Sequence, residues 1–179
     1  MNRDRSLSSQ AARTRLGLAV FSALAVAVCV AEPAIAQQND VAEGERIWKQ
    51  LGQCQECHGW AGNGERSTLH SEGKAANLRV TQLTRDQIRM TIQCGRPGTG
   101  MPHFDRFAYT DKRCYGMTAD ELGENVPNRS ATTLQPYEID ALADYIAVKI
   151  KGAGPATRSE CIDFFGPNAG VRCDPYPNK

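Results

Sequence analysis

Apolar positions recur with a helical period in three stretches of the chain. The last is the clearest: Ile139, Leu142, Ala143, Ile146 and Ile150 fall at i, i+3, i+4, i+7 and i+11 and form one stripe. Pro136 suits the first turn of that helix, because its missing N–H would be unpaired there in any case, and Gly152 suits its stop. A middle helix is predicted from Thr84, which has capping-box spacing with Gln87, to Gly95, with Ile88, Thr91 and Ile92 on its inner face. An opening helix carries Val41, Gly44, Ile47, Trp48 and Leu51. There Asp40 serves as cap, Glu43 completes the box, and the helix ends near Cys54. Between these segments the pattern fails. Residues from Gly59 to Ala76 are rich in Gly, Ser and charge and read as a surface loop, and Gly95 to Thr133 has no period. So long an irregular stretch inside a small domain points to function. No repeat is visible and strands have little support, so the fold class is all-α.

The start of the chain has the layout of a secretory signal. Arg3, Arg5, Arg13 and Arg15 precede an apolar run from Leu16 to Val30, and Ala34-Ile35-Ala36 offers a cleavage site before Gln37. The run is short for a membrane span, which needs about 20 apolar residues. The expected division is therefore a signal over 1–36, one domain over 37–152 and a Pro- and Gly-rich tail over 153–179, with export to a periplasm and no stable span after cleavage. Cleavage removes four Arg with Asp4 and Glu32, so the formal charge of +1 becomes −1. With neither sign dominant, nucleic-acid binding has no support.

Composition adds most through cysteine. The chain has seven, and losing Cys29 with the signal leaves six, an even number suited to an oxidising compartment. Two belong to Cys54-Gln55-Glu56-Cys57-His58, a C-x-x-C-H segment. Its spacing lets two thiols bond to the vinyl groups of one haem while the adjacent imidazole reaches the iron. A dithiol redox pair or half of a zinc site is the competing reading of C-x-x-C; export and the lack of a second such pair weigh against both. A haem held by His58 needs a sixth ligand to be an electron carrier, or an open position to bind gas or peroxide. Met101 stands in Arg96-Pro97-Gly98-Thr99-Gly100-Met101-Pro102, whose small residues allow close approach to a flat cofactor. Met117, His103 and His70 are alternatives, whereas Met90 falls inside a predicted helix and reads as packing.

Gly44 and Trp48, the C-x-x-C-H followed by Gly59 and Gly62-Asn63-Gly64, Asn77-Leu78, Gly100-Met101-Pro102, and the closing Leu142, Tyr145 and Ile146 occur in one order. In that order they resemble a class I cytochrome c over Asn39 to Lys151. The resemblance implies an all-helical fold around one covalent haem c, first and last helices crossing with Gly44 and Trp48 near Leu142 and Tyr145, and His58 and Met101 as the axial pair. The stretch His103 to Thr133 exceeds what a compact member needs, an extended loop between the axial Met and the last helix. Cys94, Cys114, Cys161 and Cys173 are the disulfide candidates. Sequence order leaves three connectivities, and neighbour pairing is favoured because each pair then encloses one irregular segment. A Cys94–Cys114 bridge would stabilise its loop by about 3 kcal/mol and hold Met101 near the iron.

Arg96, His103, Arg106, Lys112 and Arg113 give the long loop positive character, offset by Asp105, Asp111, Asp120, Glu121 and Glu124. It reads either as a docking surface or as a mixed solvated face, and Arg96 is a candidate to hold a haem propionate. The function expected is a periplasmic one-electron carrier between redox proteins, not an enzyme. Its long Met loop loosely resembles acceptors of periplasmic quinoprotein alcohol dehydrogenases. A subunit of a larger oxidoreductase, and an open-site haem enzyme or sensor, are the alternatives.

Overall fold

Helix α3, Arg85–Cys94, begins where the local chemistry places it: the Thr84 hydroxyl accepts from the Gln87 N–H while the Gln87 side chain accepts from the Thr84 N–H. It buries Ile88, Ile92 and Cys94; Thr91, expected on the inner face, is only half-buried and its hydroxyl bonds back to the Gln87 carbonyl. These details come from a computed structural model that describes residues 40–65 and 75–178, all within the compact unit Ala34–Lys179. The proposed signal at 1–36, Cys29 and His70 lie outside the described residues.

The other elements follow in chain order. Helix α1 comprises α-helical residues 40–46 and a π-helical turn, Ile47–Leu51; α2 is the single turn Gln55–His58. After α3 come the short α4 at Ala119–Leu122, then α5, Pro136–Tyr145 extended by a π-helical turn Ile146–Ile150, and α6, Arg158–Phe165, with α7, Gly170–Cys173. Turns of 3-10 helix occur at Leu78–Val80, Gly123–Asn125 and Pro167–Ala169. Among the described residues there is no strand, only isolated bridges pairing His103 with Arg129 and Cys114 with Met117. No described helix is long and apolar enough to cross a membrane.

Two expectations about local structure are corrected. Asp40 is itself helical, and Glu43 does not close a capping box but grips the Arg46 guanidinium with both carboxylate oxygens at 2.7 and 2.8 Å. The long stretch before α5 is also not featureless, for Thr118 and Glu121 form a capping box that starts α4. Four residues are too few to reveal a hydrophobic period, so the cap was its only signal.

The core joins α1, α3 and α5. Ile47 and Trp48 meet Ile88, Ile92, Leu134 and the α5 stripe, of which Ile139, Leu142, Ala143, Ile146 and Ile150 are all buried. Each isoleucine or leucine among them contributes about 1.5–3 kcal/mol when fully buried. On the surface of the α3–α5 seam, Arg85 spans both oxygens of Asp144 at 2.8 and 3.0 Å and Arg89 reaches Asp140 at 2.9 Å. Such half-exposed pairs orient the helices more than they stabilise them. Helices α1 and α5 cross at Gly44, where a Cβ would strike the Ala141 carbonyl oxygen and lie 2.6 Å from the Tyr145 Cβ. A larger residue there would push the helices apart at a cost of about 1–3 kcal/mol.

Candidate functional site

The C-x-x-C-H segment is one helical turn. The Cys54 carbonyl accepts from the N–H groups of Cys57 and His58 at 3.3 and 2.9 Å, so Cys54, Cys57 and His58 occupy positions i, i+3 and i+4 on one face. Gln53 starts the turn from a left-handed backbone, φ 51°, and the Gln55 amide donates to the Lys49 carbonyl at 3.0 Å, tying the turn to α1. Cys54 and Cys57 are free thiols, whereas the other four described cysteines are bridged as Cys94–Cys114 and Cys161–Cys173. Burial pushes the half-buried Cys54 thiol up to about 12, opposite to the lowered value of a reactive dithiol.

The imidazole is oriented from two sides. Its Nδ1 lies 3.0 Å from the Ala76 carbonyl oxygen, and since a carbonyl only accepts, Nδ1 carries the proton and Nε2 the free lone pair. Burial lowers the His58 pKa, outweighing the opposing bond to Ala76, and favours the neutral ring that a metal ligand requires. The Trp48 ring packs 6.1 Å from His58 and also 6.1 Å from Tyr145, and its indole N–H donates to the Trp60 carbonyl at 3.3 Å. The Gly64 N–H donates to the His58 carbonyl at 2.8 Å. Gly64 has φ 78°, and a Cβ there would stand 2.7 Å from the Ala75 carbonyl oxygen, which explains glycine at this position.

Met101 is half-buried and packs against the same core cluster that receives Cys54. Its backbone is fixed by the Arg96 N–H on the Met101 carbonyl at 3.1 Å and by its own N–H on the Thr99 hydroxyl at 3.2 Å. Met117 is 41% exposed, and Met90 packs on the bridge, its sulfur 3.4 Å from Cys94 Sγ. His103 is buried; its Nδ1 donates to the Asp105 carbonyl at 2.8 Å, which leaves its Nε2 lone pair free as at His58, and its ring makes an edge contact with Tyr109.

The positive character of the long loop is largely cancelled within it. Arg113 pairs with Asp111 at 2.7 Å and Asp105 at 3.4 Å, Lys112 with Glu121 at 2.9 Å, and Arg106 lies over the Phe107 ring. Arg96 is exposed, with no ion pair among the described residues.

Sequence reasoning missed Arg79. Its guanidinium is 5% exposed and donates to the carbonyls of Ala61, Ala153, Gly154 and Pro155 and to both oxygens of Glu160. It also missed Tyr109 and Tyr115, whose hydroxyls reach the carbonyls of Cys94 and Gly95. The partners of these three are 15 or more residues away and leave no local pattern.

The residues fit a covalently held haem. Two unpaired thiols and an imidazole with a free Nε2 share one face, and a thioether packs on the same core. Residues 39–119, which span the C-x-x-C-H turn, Met101 and the Cys94–Cys114 bridge, match the family model described as cytochrome C oxidase, cbb3-type, subunit III. No curated protein and no solved structure is similar enough to match the chain. Two free cysteines on a helical turn that ends in a carbonyl-oriented histidine, together with this family match across the segment, mark residues 39–119 as a c-type cytochrome domain.

Proposed function

We propose that the protein is a mono-haem carrier of single electrons with His58 and Met101 as axial ligands. The observation that carries this reading is the Nδ1–H bond from His58 to the Ala76 carbonyl, which leaves Nε2 free on the face that His58 shares with two unpaired cysteines. Cys54 and Cys57 would bind the haem through thioethers, and Arg96 offers an exposed cation to a propionate. Bound there, the haem supplies a reversible one-electron couple. The chain's own work is to keep His58 in one tautomer, to hold Met101 against the core and to pack Trp48 beside the imidazole, which keeps water from the proximal side.

The test is spectroscopic. Haem should stay with the polypeptide through denaturing electrophoresis in wild type and be lost in C54A/C57A. The weak far-red band of a ferric iron–thioether bond should vanish in M101A. A wild type without that band, whose ferrous form takes up carbon monoxide readily, would instead have an open site.

The same proposal includes export: a signal at 1–36, a haem domain over 37–152 and a tail over 153–179, with the mature protein in the periplasm. Two disulfides support an oxidising compartment, and a purified protein beginning at Gln37 would be the expected product. The donor and acceptor would be redox proteins. A quinoprotein alcohol dehydrogenase as donor is one specific form of the proposal, and a cytochrome that stays oxidised with that enzyme and alcohol present removes it. A second reading, a cytochrome subunit of an oxidase complex, draws on the description of the matching family. Copurification of partner subunits at stoichiometric ratio would favour it.

A further inference from the structure

Among the described residues, three that are not glycine adopt positive φ: Gln53, Tyr109 at 62° and Tyr115 at 56°. Left-handed backbone costs a side-chain-bearing residue about 1–2 kcal/mol, and it persists where the surroundings enforce it. Gln53 opens the C-x-x-C-H turn. The two tyrosines lie in the excursion between Met101 and α5, and each strained backbone directs a hydroxyl to the same place. The Tyr109 O–H donates to the Cys94 carbonyl at 2.7 Å in a buried bond, and the Tyr115 O–H donates to the Gly95 carbonyl at 2.8 Å.

That place is the end of α3, where the last carbonyls have no partner within the helix. Capping donors for such carbonyls normally come from the next few residues; here they come from 15 and 20 residues downstream. Cys94 and Gly95 also form the near stem of the Met101 loop. Gly95 has φ 64°, and a Cβ on it would come within 2.7 Å of the Met101 carbonyl oxygen and of the Pro102 carbonyl carbon. The next residue, Arg96, donates its N–H to that same Met101 carbonyl. The backbone of Met101 therefore rests directly on a dipeptide that the excursion grips three times, by the Cys94–Cys114 bridge and by two hydroxyls.

We propose that Tyr109 and Tyr115 are positioning residues for the sixth ligand: by fixing the Cys94-Gly95 stem they hold the Met101 thioether on the iron against competing ligands. The inference rests on the His58 and Met101 reading above. It gives the excursion a role at the iron and accounts for strain at the two residues that supply the hydroxyls. Tyr109 is buried, and burial first, with the neighbouring Tyr115 second, raises its phenol to about 12, so it remains a hydrogen-bond donor throughout the ordinary pH range.

Imidazole titration of the ferric holoprotein measures the hold directly, because imidazole must displace the thioether to bind. Removing one hydroxyl bond of about 1 kcal/mol should tighten apparent imidazole binding about fivefold in each of Y109F and Y115F. Y137F, on an exposed ring of α5, should match wild type. If both variants bind imidazole as wild type does, even with a lowered melting temperature, the tyrosines serve only stability and the proposal is overturned. The underlying reading fails separately if M101A binds imidazole no more tightly than wild type and wild type has no far-red band. Should Y109F yield no folded haem protein, Y115F decides, because its ring is 41% exposed and tolerates the change more easily.

Discussion

Two segments of this protein, the excursion after Met101 and the tail, are each closed by a disulfide, yet they are fastened to the core in different ways. The bridge Cys94–Cys114, 20 residues apart, has one end in α3, so it staples the excursion covalently to a core helix. The bridge Cys161–Cys173, 12 residues apart, has both ends in the tail, on α6 and α7, and staples the tail only to itself. Attachment of the tail then depends on Arg79, which collects carbonyls from Ala61 and from residues 153–155 together with Glu160, and on Trp60, whose indole N–H donates to the Tyr176 hydroxyl at 2.7 Å. Covalent closure restrains only what it encloses. Beyond that span a segment needs a polar hub, and a buried guanidinium suits the task because it offers five donors in a fixed fork.

The largest expected effect separates the two anchors. Arg79→Met should cost about 3–4 kcal/mol in urea unfolding, since it leaves several carbonyls without their donor and Glu160 without its ion-pair partner. Limited proteolysis should then cut the tail while the haem spectrum stays as in wild type. A tail that resists protease as before would show that the aromatic contacts of Trp60 suffice. Replacing either disulfide by a pair of alanines should cost about 3 kcal/mol in the chain-entropy model, similar for both. The distinction lies in the haem. C94A/C114A should tighten imidazole binding, whereas C161A/C173A should leave it unchanged, and equal responses would erase the contrast.

Acid should discriminate next. Burial raises the Glu160 pKa, but the bonds from Arg79 and from the Thr157 N–H and hydroxyl lower it further, for a net value below the ordinary carboxylate range. The stability it contributes is complete above its unfolded pKa and is lost as pH falls through the lowered folded value. The grip on Met101 uses no carboxylate, and hydrogen bonds from Arg113 hold neighbouring Asp111 down to about 2. Acid proteolysis should therefore release the tail before the far-red band fades; the reverse order would place the weaker anchor at the haem. The smallest effect is expected from Tyr176→Phe, which removes one partly buried hydrogen bond and should cost about 1 kcal/mol by thermal or urea unfolding.

What could be read from the chain was whatever its chemistry encodes over a few residues. The α3 cap at Thr84 and Gln87, Pro136 at the start of α5 and the stripe from Ile139 to Ile150 are local or periodic, and the structure contains them. The C-x-x-C-H turn is local as well, since its donors are brought to one face by helical spacing alone. A signature was misread at Asp40, where Glu43 prefers an arginine three residues on, and one at Thr118 and Glu121 was overlooked because so short a helix shows no period.

The amino-acid sequence by itself therefore determined the class of fold, the C-x-x-C-H turn with its two cysteines and histidine on one face, and the chain segments that form the core. Tertiary structure decided the rest: which carbonyl fixes the tautomer of His58, which dipeptide supports Met101, and what binds the tail. The physical reason is that these acceptors are backbone carbonyls, which every residue possesses. A carbonyl becomes specific only when folding brings one donor to it from far along the chain, as Tyr109 comes to Cys94 and Arg79 to Pro155.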